Sequence, residues 1–545
     1  QTGLLTPQFS HSNKKGYEVT LPFFWAINES SDFTLYETFM SDRGFKHGLE
    51  YRYALSPHSK GAVMFDYLHD RETDDGTGFV GIEGDDENRT NKNRWWLRTK
   101  TNQDLPAGFR GMLDLDIVSD QDYLLEFKTG YSSYEDSNDY FEKAFGRDLD
   151  DRRDVARRNQ LHLHRPWEQF SLNADLLYFD NVILRRNNDP DPTLQRLPNI
   201  QFNGIKQDLF RSPCFFDLVS SYVYFWRDYG TKSHRADLHP RFYYPVTLFK
   251  YLEFEPSGGL RQTIYQVEKY QDDSQKNRDN FFTRQGADLK LDLSTDVTRI
   301  FNFSRKSVDR VKHTVRPQVV YDYVTFSSQE DLPEFEDIDR LPDINLITYS
   351  ITNFFSARLM ENQNSDAAGE PESTEKQAQP SYRYNDFCRI KLTQSYDIKE
   401  ARRNSQEKRE PFSDIVGEIE LRPLACLDLD GDVAWSPYDH QVTRGDAKVT
   451  LCDRRGDRAF IDYVYTRDRN QSIISRFLIK LFDPLWADVR HEHNIKAGKA
   501  IETSLGLKYA PPCWSIAVKY TDDRETDEKQ FFVEIGLAGL GEFGL

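Results

Sequence analysis

Two short runs of residues have the types and spacing of a metal site. His491-Glu492-His493 places two imidazoles on one face of a strand, where they could bind a transition metal. A plain polar pair facing a lumen is the simpler interpretation. Asp428, Asp430 and Asp432 resemble the start of a calcium loop, but the glycine and distal glutamate of that motif are missing. We therefore expect acids of a turn and a lumen here, with no metal and no cofactor.

Motifs for covalent chemistry are missing from the sequence. The chain has no GxSxG, no Walker-type glycine loop and no HExxH. A serine and histidine brought together from distant strands would leave no local signature, and no residue indicates such a site. We therefore predict that the protein is not an enzyme.

The charge and the cysteines restrict the partners. The net charge is -18, and no basic arm or stripe stands out that could neutralise phosphates, so nucleic acid is not an expected partner. The five cysteines have no CxxC or zinc spacing. Their odd number leaves at least one to pair outside this chain or to stay free. They are Cys214, Cys388, Cys426, Cys452 and Cys513.

The elements that would position these residues are strands. From Phe45 to Leu55 the odd positions are mostly apolar or aromatic and the even positions are mostly charged, which is the period of two of a strand between different surroundings. The same alternation returns through the chain, for example at Phe170–Tyr178, Ala287–Leu293 and Phe531–Leu537. Segments of about ten residues with this pattern are typical of a membrane barrel, and the chain length allows about two dozen strands.

Composition and loop lengths favour a membrane barrel over a soluble fold. Hydrophobic residues make up only 38% of the chain while aromatic residues reach 14%, as expected for a polar lumen with aromatic girdles. No run approaches the ~18 apolar residues of a membrane helix. Short turns are predicted after the second, fourth, sixth and eighth strands and long loops between them. We expect the polar loops Asp70–Lys92 and Glu361–Ser381 to lie outside the cell.

Two prolines interrupt the first predicted strands. Pro7 lies in Gly3–Ser10 and Pro22 in Tyr17–Ile27. Because proline has no N–H for a ladder, the two residues indicate weak pairing at one place in the sheet. The alternative is a pair of ordinary strand-start prolines.

Several short motifs together resemble one family. They are Gly3-Leu4-Leu5-Thr6-Pro7-Gln8, Leu21-Pro22-Phe23-Phe24-Trp25, Met40-Ser41-Asp42-Arg43-Gly44, Leu197-Pro198, Lys312-His313-Thr314-Val315-Arg316-Pro317, Asp331-Leu332-Pro333 and Cys513-Trp514. This ordered set, which covers essentially the whole chain, closely resembles the barrel of the lipopolysaccharide-assembly outer-membrane proteins, the LptD family. The resemblance implies an all-β fold: a single antiparallel transmembrane barrel of about 26 strands over residues 1–545, whose first and last strands meet at a lateral seam.

The resemblance also implies a function and partners. The expected function is insertion of lipopolysaccharide into the outer leaflet through that seam, with Pro7, Pro22, Gly536 and Gly539 weakening it. Partners would be an LptE-like lipoprotein plug in the lumen and a periplasmic lipopolysaccharide-transport bridge, reached through an amino-terminal jellyroll domain that this chain lacks. Gln1 without a signal peptide suggests a processed or excised fragment.

Cys513 is the family's candidate for a disulfide to that jellyroll domain. Family members often have two adjacent cysteines at this point, whereas here Pro512 precedes Cys513. The competing functions are a large passive porin or ligand transporter of the outer membrane, and a soluble secreted β-rich enzyme or adhesin. A porin has no need for paired prolines at a seam.

Overall fold

The computed structural model describes residues 2–72, 91–270, 279–303, 308–360, 382–404, 408–424, 426–524 and 527–537. These residues form one antiparallel sheet that closes on itself as a barrel of 26 strands. The strands are β1 (Gly3–Leu4 and Gln8–Ser12), β2 (Gly16–Asn28), β3 (Ser31–Met40), β4 (Gly44–Ala54), β5 (Lys60–His69), β6 (Asn93–Asp104), β7 (Arg110–Val118), β8 (Ala156–Pro166), β9 (Phe170–Asn181), β10 (Gln195–Asp208), β11 (Phe215–Trp226), β12 (Lys232–Tyr243 and Val246–Leu248), β13 (Leu252–Lys269), β14 (Phe281–Ser294 and Val297–Asn302), β15 (Val308–Phe326), β16 (Ile344–Met360), β17 (Tyr382–Asp397), β18 (Ile415–Leu424), β19 (Leu427–Ser436), β20 (Gln441–Cys452), β21 (Arg458–Thr466), β22 (Asn470–Phe482), β23 (Leu485–Asn494), β24 (Lys499–Tyr509), β25 (Trp514–Asp523) and β26 (Glu528–Leu537). The predicted fold class is confirmed.

Short helices occur only in connections between the described strands. They are α1 (Tyr123–Glu126), α2 (Tyr134–Phe145), α3 (Val182–Asn187) and α4 (Ile398–Ala401), together with 3-10 turns at Pro106–Gly108 and Asp337–Asp339. No helix in the described ranges is long and apolar enough to span a membrane.

The barrel wall is inverted relative to a soluble protein. On β4 the aromatic Phe45 is 52% exposed, whereas its neighbour Lys46 is only 3% exposed. Leu49 and Glu50 repeat the contrast, with 37% and 7% exposed. Apolar side chains therefore point outward and charged side chains point into the lumen, which is the alternation that a barrel in lipid requires.

Connections sort by length between the two rims. Because neighbouring strands are antiparallel, connections after even-numbered strands lie on one rim and connections after odd-numbered strands on the other. The first rim has tight turns, such as residues 29–30, 105–109 and 167–169. The second carries the long connections 119–155 and 327–343. By the general rule for outer-membrane barrels, the first rim is periplasmic and the second extracellular.

One predicted loop lies at the wrong rim. Asp70–Lys92 follows β5 and belongs to the extracellular rim as predicted, although residues 73–90 lie outside the described ranges. Residues 361–381 also lie outside them, but they join the ends of β16 and β17. Since β16 is even-numbered, this connection belongs to the periplasmic rim. The prediction of an external loop at Glu361–Ser381 was wrong because it took the preceding strand to be odd-numbered, whereas that strand is β16.

Two extracellular connections fold into the lumen. We call residues 119–155, which include α1 and α2, the inner segment. Its Tyr123, Phe127 and Phe141 are almost completely buried against Met40, Trp96 and other wall residues of the hydrophobic core. Residues 327–343 dock against a different part of the wall, where Asp339 bonds to Arg235 and Tyr265. The barrel therefore has its apolar core inside the lumen, where these segments meet the wall.

The rim assignment can be tested with epitope tags. A tag inserted within residues 73–90 should bind antibody on intact cells, because that connection joins strand ends at the extracellular rim. A tag within residues 361–381 should bind only after the outer membrane is permeabilised. Equal binding to both tags on intact cells would contradict the assignment.

Candidate functional site

The ladder between the first and last strands is short. β1 pairs with β26 over only five residues, Gln8–Ser12 against Gln530–Glu534. By comparison, β25 and β26 pair over ten residues, Trp514–Asp523 against Glu528–Leu537. The five pairs lie in the extracellular half of the wall, since β1 runs toward that rim. Among the described residues the ladder stops at Gln8: strand pairs are absent between Leu5–Pro7 and Ile535–Leu537, and the positions that would continue opposite Gly3 and Leu4 lie outside the described residues.

Pro7 lies where the seam ladder stops. It is the residue before Gln8, the last residue of β1 that pairs with β26 in the periplasmic direction. It also lies in the gap between the two parts of β1, both of which pair with β2: Leu4 pairs with Phe23, but Gln8 pairs with Thr20. One extra residue of β1 is therefore accommodated between these pairs, as in a β-bulge. Pro7 thus occupies a break in the ladder on both sides.

Pro22 lies inside β2, next to this break. The N–H of Leu5 donates to the carbonyl of Pro22 at 2.9 Å. A non-proline residue could return a second hydrogen bond, but Pro22 has no N–H to donate. The attachment of β1 to β2 is therefore weakened where the seam is already unpaired.

The glycines predicted for the seam are placed only in part. Gly536 pairs with Ser515 of β25, and that ladder continues past it to Leu537. A Cβ on Gly536 would meet the Ser515 hydroxyl at 2.4 Å, so any larger residue at this position would require the serine side chain to move. Gly539 lies outside the described residues.

Cys513 lies on the periplasmic rim, in the turn between β24 and β25. Its thiol is free and exposed in the structure. On the same rim Cys426 and Cys452 form a disulfide that joins the ends of β19 and β20. Cys214 and Cys388 are free and half-buried.

The histidine pair on β23 does not face the lumen. Arg490 and Glu492 are on the luminal side, since their register partners Ser504 and Glu502 are buried there. His491 and His493 therefore point outward, with ring centroids 5.8 Å apart, and His491 bonds to Thr503. The interpretation as a luminal pair was wrong, because the alternation of side chains along a strand defines two faces but does not show which of them faces the lumen. No metal-binding cluster of three residues occurs among the described residues.

The three aspartates of β19 form ion pairs with arginines of the neighbouring strands. Arg422 of β18 contacts Asp428 and Asp430, and Arg444 of β20 contacts Asp432. Their carboxylates are therefore engaged in cross-strand charge pairing, in line with an interpretation as luminal acids.

The main helix of the inner segment, α2, has a capping residue at each end. The Ser133 side chain accepts a hydrogen bond from the N–H of Asp136 at the start of α2. Gly146 ends the helix in the left-handed conformation, which glycine adopts without strain.

A buried charge network anchors the inner segment to the wall. Arg94 of β6 is fully buried and forms ion pairs with Asp70, Asp120 and Glu126. Arg43 contacts Asp70 and Glu126 at 2.6 Å. Burial alone would raise the pKa of Asp120, but Arg94 and a Ser119 hydrogen bond outweigh it and hold that pKa below its usual value. Sequence patterns missed this network, because its members come from five separate places in the chain.

The sequence of this chain is similar to one known family of proteins. The family model described as "LptD: LPS transport system D" matches residues 92–479, more than half of the chain. An LPS-assembly protein LptD from Cupriavidus necator is 22% identical over all of this chain and 63% of its own length. That of Nitrosococcus oceani is 24% identical over all of this chain and 68% of its own length. The chain thus spans less than two thirds of the Cupriavidus necator relative.

Solved structures are similar only at a low level. The siderophore receptor PirA from Pseudomonas aeruginosa is 8% identical, with a TM-score of 0.23 over 98% of this chain and 79% of that one. The P pilus usher PapC has a TM-score of 0.22 and 8% identity, covering 98% of this chain and 99% of that one.

Arg94→Met tests the anchor of the inner segment. The change removes the arginine that pairs with Asp120 and leaves Asp70 and Glu126 to Arg43. Breaking a buried ion pair in this way costs about 3–5 kcal/mol. We expect the inner segment to detach and become sensitive to protease in the purified barrel. The contribution of Asp120 to this stabilisation should also decline as the pH falls from the ordinary aspartate pKa of about 4 toward the lower pKa of the folded protein, because in that range protons bind the unfolded chain more readily and stabilise it.

The matched control is Arg316→Met. Arg316 forms an ion pair with Asp296 in which both side chains are about 40% exposed (41% and 42%). Exposed pairs contribute about 0–1 kcal/mol, so this variant should resist protease as the unmodified protein does. Equal behaviour of the two variants would show that Arg94 does not anchor the segment.

Proposed function

Because this chain belongs to the LptD family, which is a family of transport proteins in the bacterial outer membrane, we propose that it inserts lipopolysaccharide into the outer leaflet. The glycolipid would leave sideways through a lateral gate between β1 and β26. The observation that supports the gate is the five-residue seam ladder, which is half as long as the ladder between β25 and β26. No covalent step is needed for this transfer.

Hydrogen bonding in lipid explains why a gate would be built this way. Unpaired backbone groups cost several kcal/mol each in hydrocarbon, so the barrel has to remain closed for most of the time. Opening must nevertheless break only a few bonds. A ladder confined to Gln8–Ser12, with Pro7 at its end, meets both requirements. A lipid tail would then first leave the lumen on the periplasmic side of Gln8, where the ladder ends among the described residues.

The filled lumen argues against the main alternative, a large passive porin. Two connections fold into the lumen and bury aromatic and charged side chains there. A passive channel gains nothing from a lumen that is filled in this way.

The proposal includes two protein partners. A lipoprotein plug would occupy the part of the lumen lined by β18–β20, where Arg422 and Arg444 remain 52% and 54% exposed although they form ion pairs. A periplasmic bridge would deliver the glycolipid through a jellyroll domain that precedes the barrel in the family. In this proposal residues 1–545 are the barrel part of a longer protein.

Pro7→Ala with Pro22→Ala tests the gate. The double variant restores two N–H donors beside the seam, and at ~1 kcal/mol per hydrogen bond it should favour the closed state by up to ~2 kcal/mol, roughly a thirtyfold shift in population. Lipopolysaccharide should appear at the surface more slowly, while the folded level of the barrel stays normal. The measurement is surface lipopolysaccharide in cells that depend on the variant.

Pro240→Ala is the control for this test. Pro240 lies within β12, opposite Leu218, and far along the sheet from the seam. The Pro240→Ala variant should deliver lipopolysaccharide to the surface at the normal rate. Normal delivery by the double variant at a normal folded level would refute the role of Pro7 and Pro22, whereas loss of folded barrel would indicate a structural role.

Cys513→Ser tests the link to the preceding domain. We expect Cys513 to pair with a cysteine of the jellyroll domain, because its exposed thiol lies on the periplasmic rim. The full-length protein should therefore change mobility on a non-reducing gel when Cys513 is replaced. Cys214→Ser, at a half-buried thiol, is the control and should leave the mobility unchanged. Unchanged mobility of the Cys513 variant would exclude this disulfide.

A further inference from the structure

The inner segment reaches both sides of the seam. The Lys128 ammonium forms ion pairs with Glu502 of β24 and, at 3.0 Å, with Asp523 of β25. The Thr129 hydroxyl donates to the Gln530 side chain of β26 at 2.6 Å. Only two residues further on, the N–H of Tyr131 donates to the Gln8 side chain of β1 at 2.9 Å. Residues 128–131 therefore bond to the last three strands and to the first strand.

Gly130 makes this crossing possible. Its φ is +98°, a backbone conformation that residues with a side chain rarely adopt. A Cβ at this position would also lie 3.1 Å from the Gln8 side-chain oxygen. The turn at Gly130 thus lets Thr129 and Tyr131 bond to opposite sides of the seam.

These contacts are shielded from water. Lys128, Glu502 and Asp523 are only 7%, 6% and 5% exposed. Gln8 and Gln530, which lie on the luminal face of the seam itself, are also buried. Burial removes most of the screening that makes surface ion pairs weak, so the contacts of Lys128 resist separation more than an exposed pair would.

The rest of the inner segment is held by the first half of the wall. Glu126 is bound by Arg43 and Arg94, on the β3 and β6 side of the seam. Farther along, Arg98 of β6 donates to the hydroxyls of Ser132 and Ser137. The segment is therefore fixed to the β1 side, and Lys128 and Thr129 reach across from it to β24–β26. When β26 moves away from β1, these contacts must break together with the seam ladder and the Lys15–Glu528 pair.

We propose that residues 128–131 form a strap that holds the seam closed from the lumen, and that Lys128 has to leave Glu502 and Asp523 before β26 can separate from β1. This inference rests on the proposed lateral gate, and it adds the element that controls opening. The strap compensates for the short seam ladder, because it joins the two sides through side chains instead of backbone bonds. Lys128 is a positioning residue in this scheme and does not need to touch the lipid.

Three engineered disulfides in the full-length protein separate the strap from the gate. Ser10→Cys with Phe532→Cys joins register partners across the seam. Thr129→Cys with Gln530→Cys joins the strap to β26. Thr348→Cys with Ser395→Cys joins register partners in β16 and β17, away from the seam, and serves as the control. Surface delivery of lipopolysaccharide is measured in cells before and after a reductant, together with the folded level of each variant.

We expect the seam disulfide and the strap disulfide each to lower delivery at least roughly tenfold, which corresponds to about 1.4 kcal/mol or more. The reductant should restore delivery, and the control pair should have no effect. Normal delivery with the strap disulfide, but not with the seam disulfide, would overturn the strap and leave the gate intact. Normal delivery with the seam disulfide would overturn the gate and the strap together.

A second variant tests the strap in the opposite direction. Lys128→Met combined with Glu502→Gln and Asp523→Asn removes the charges together, so that no carboxylate is left buried alone. The seam should open more often, and alkylation of a single Ser10→Cys thiol in the purified full-length protein should become roughly tenfold faster. Lys206→Met, which removes an exposed ion pair with Glu255, should leave that rate unchanged. An unchanged rate in the triple variant would contradict the strap.

Discussion

The requirement that backbone groups stay hydrogen-bonded in lipid determines the architecture of this chain. A sheet with free edges would expose unpaired N–H and C=O groups to hydrocarbon, so the 26 strands close into a ring. Closure is weakest at one place, since the first and last strands come from opposite ends of the chain and share five residue pairs among the described residues. In the proposed gate, the features that surround this junction keep it closed but allow it to separate.

The same requirement places polar chemistry inside the barrel. With apolar side chains turned toward lipid, charged residues such as Lys46, Glu50 and Arg94 collect in the lumen and are nearly or fully buried there. Isolated charges in such a space are costly, so arginines and carboxylates pair, and the inner segment supplies Asp120 and Glu126 to complete the set around Arg94. A loop that starts at the extracellular rim is thereby held inside the barrel, where it packs against the wall.

The sequence predicted what depends on local periodicity and missed what depends on long-range register. Alternation along β4 predicted the strand, and Pro7 and Pro22 marked the break that the structure has between the two parts of β1. Alternation could not say which face is inside, so His491 and His493 were assigned to the wrong one. An error in the count of strands assigned residues 361–381 to the wrong rim. The contacts of Lys128 lie more than 370 residues apart in sequence, and no local pattern announces them.

Backbone hydrogen bonds and side-chain bonds stabilise the seam in different ways. Backbone ladders are uniform along a strand, so a long ladder between β1 and β26 would be equally strong at every level of the membrane. Side-chain bonds can be placed at single points: Lys15 pairs with Glu528 at the extracellular end, and Thr129 bonds to Gln530 inside the lumen. The periplasmic end, beyond Pro7, has neither kind of bond to β26 among the described residues. In the proposed gate, separation that begins beside Pro7 would break the Gln8–Ser12 ladder first and the Lys15–Glu528 pair last, so the seam would open from the periplasmic side toward the extracellular side.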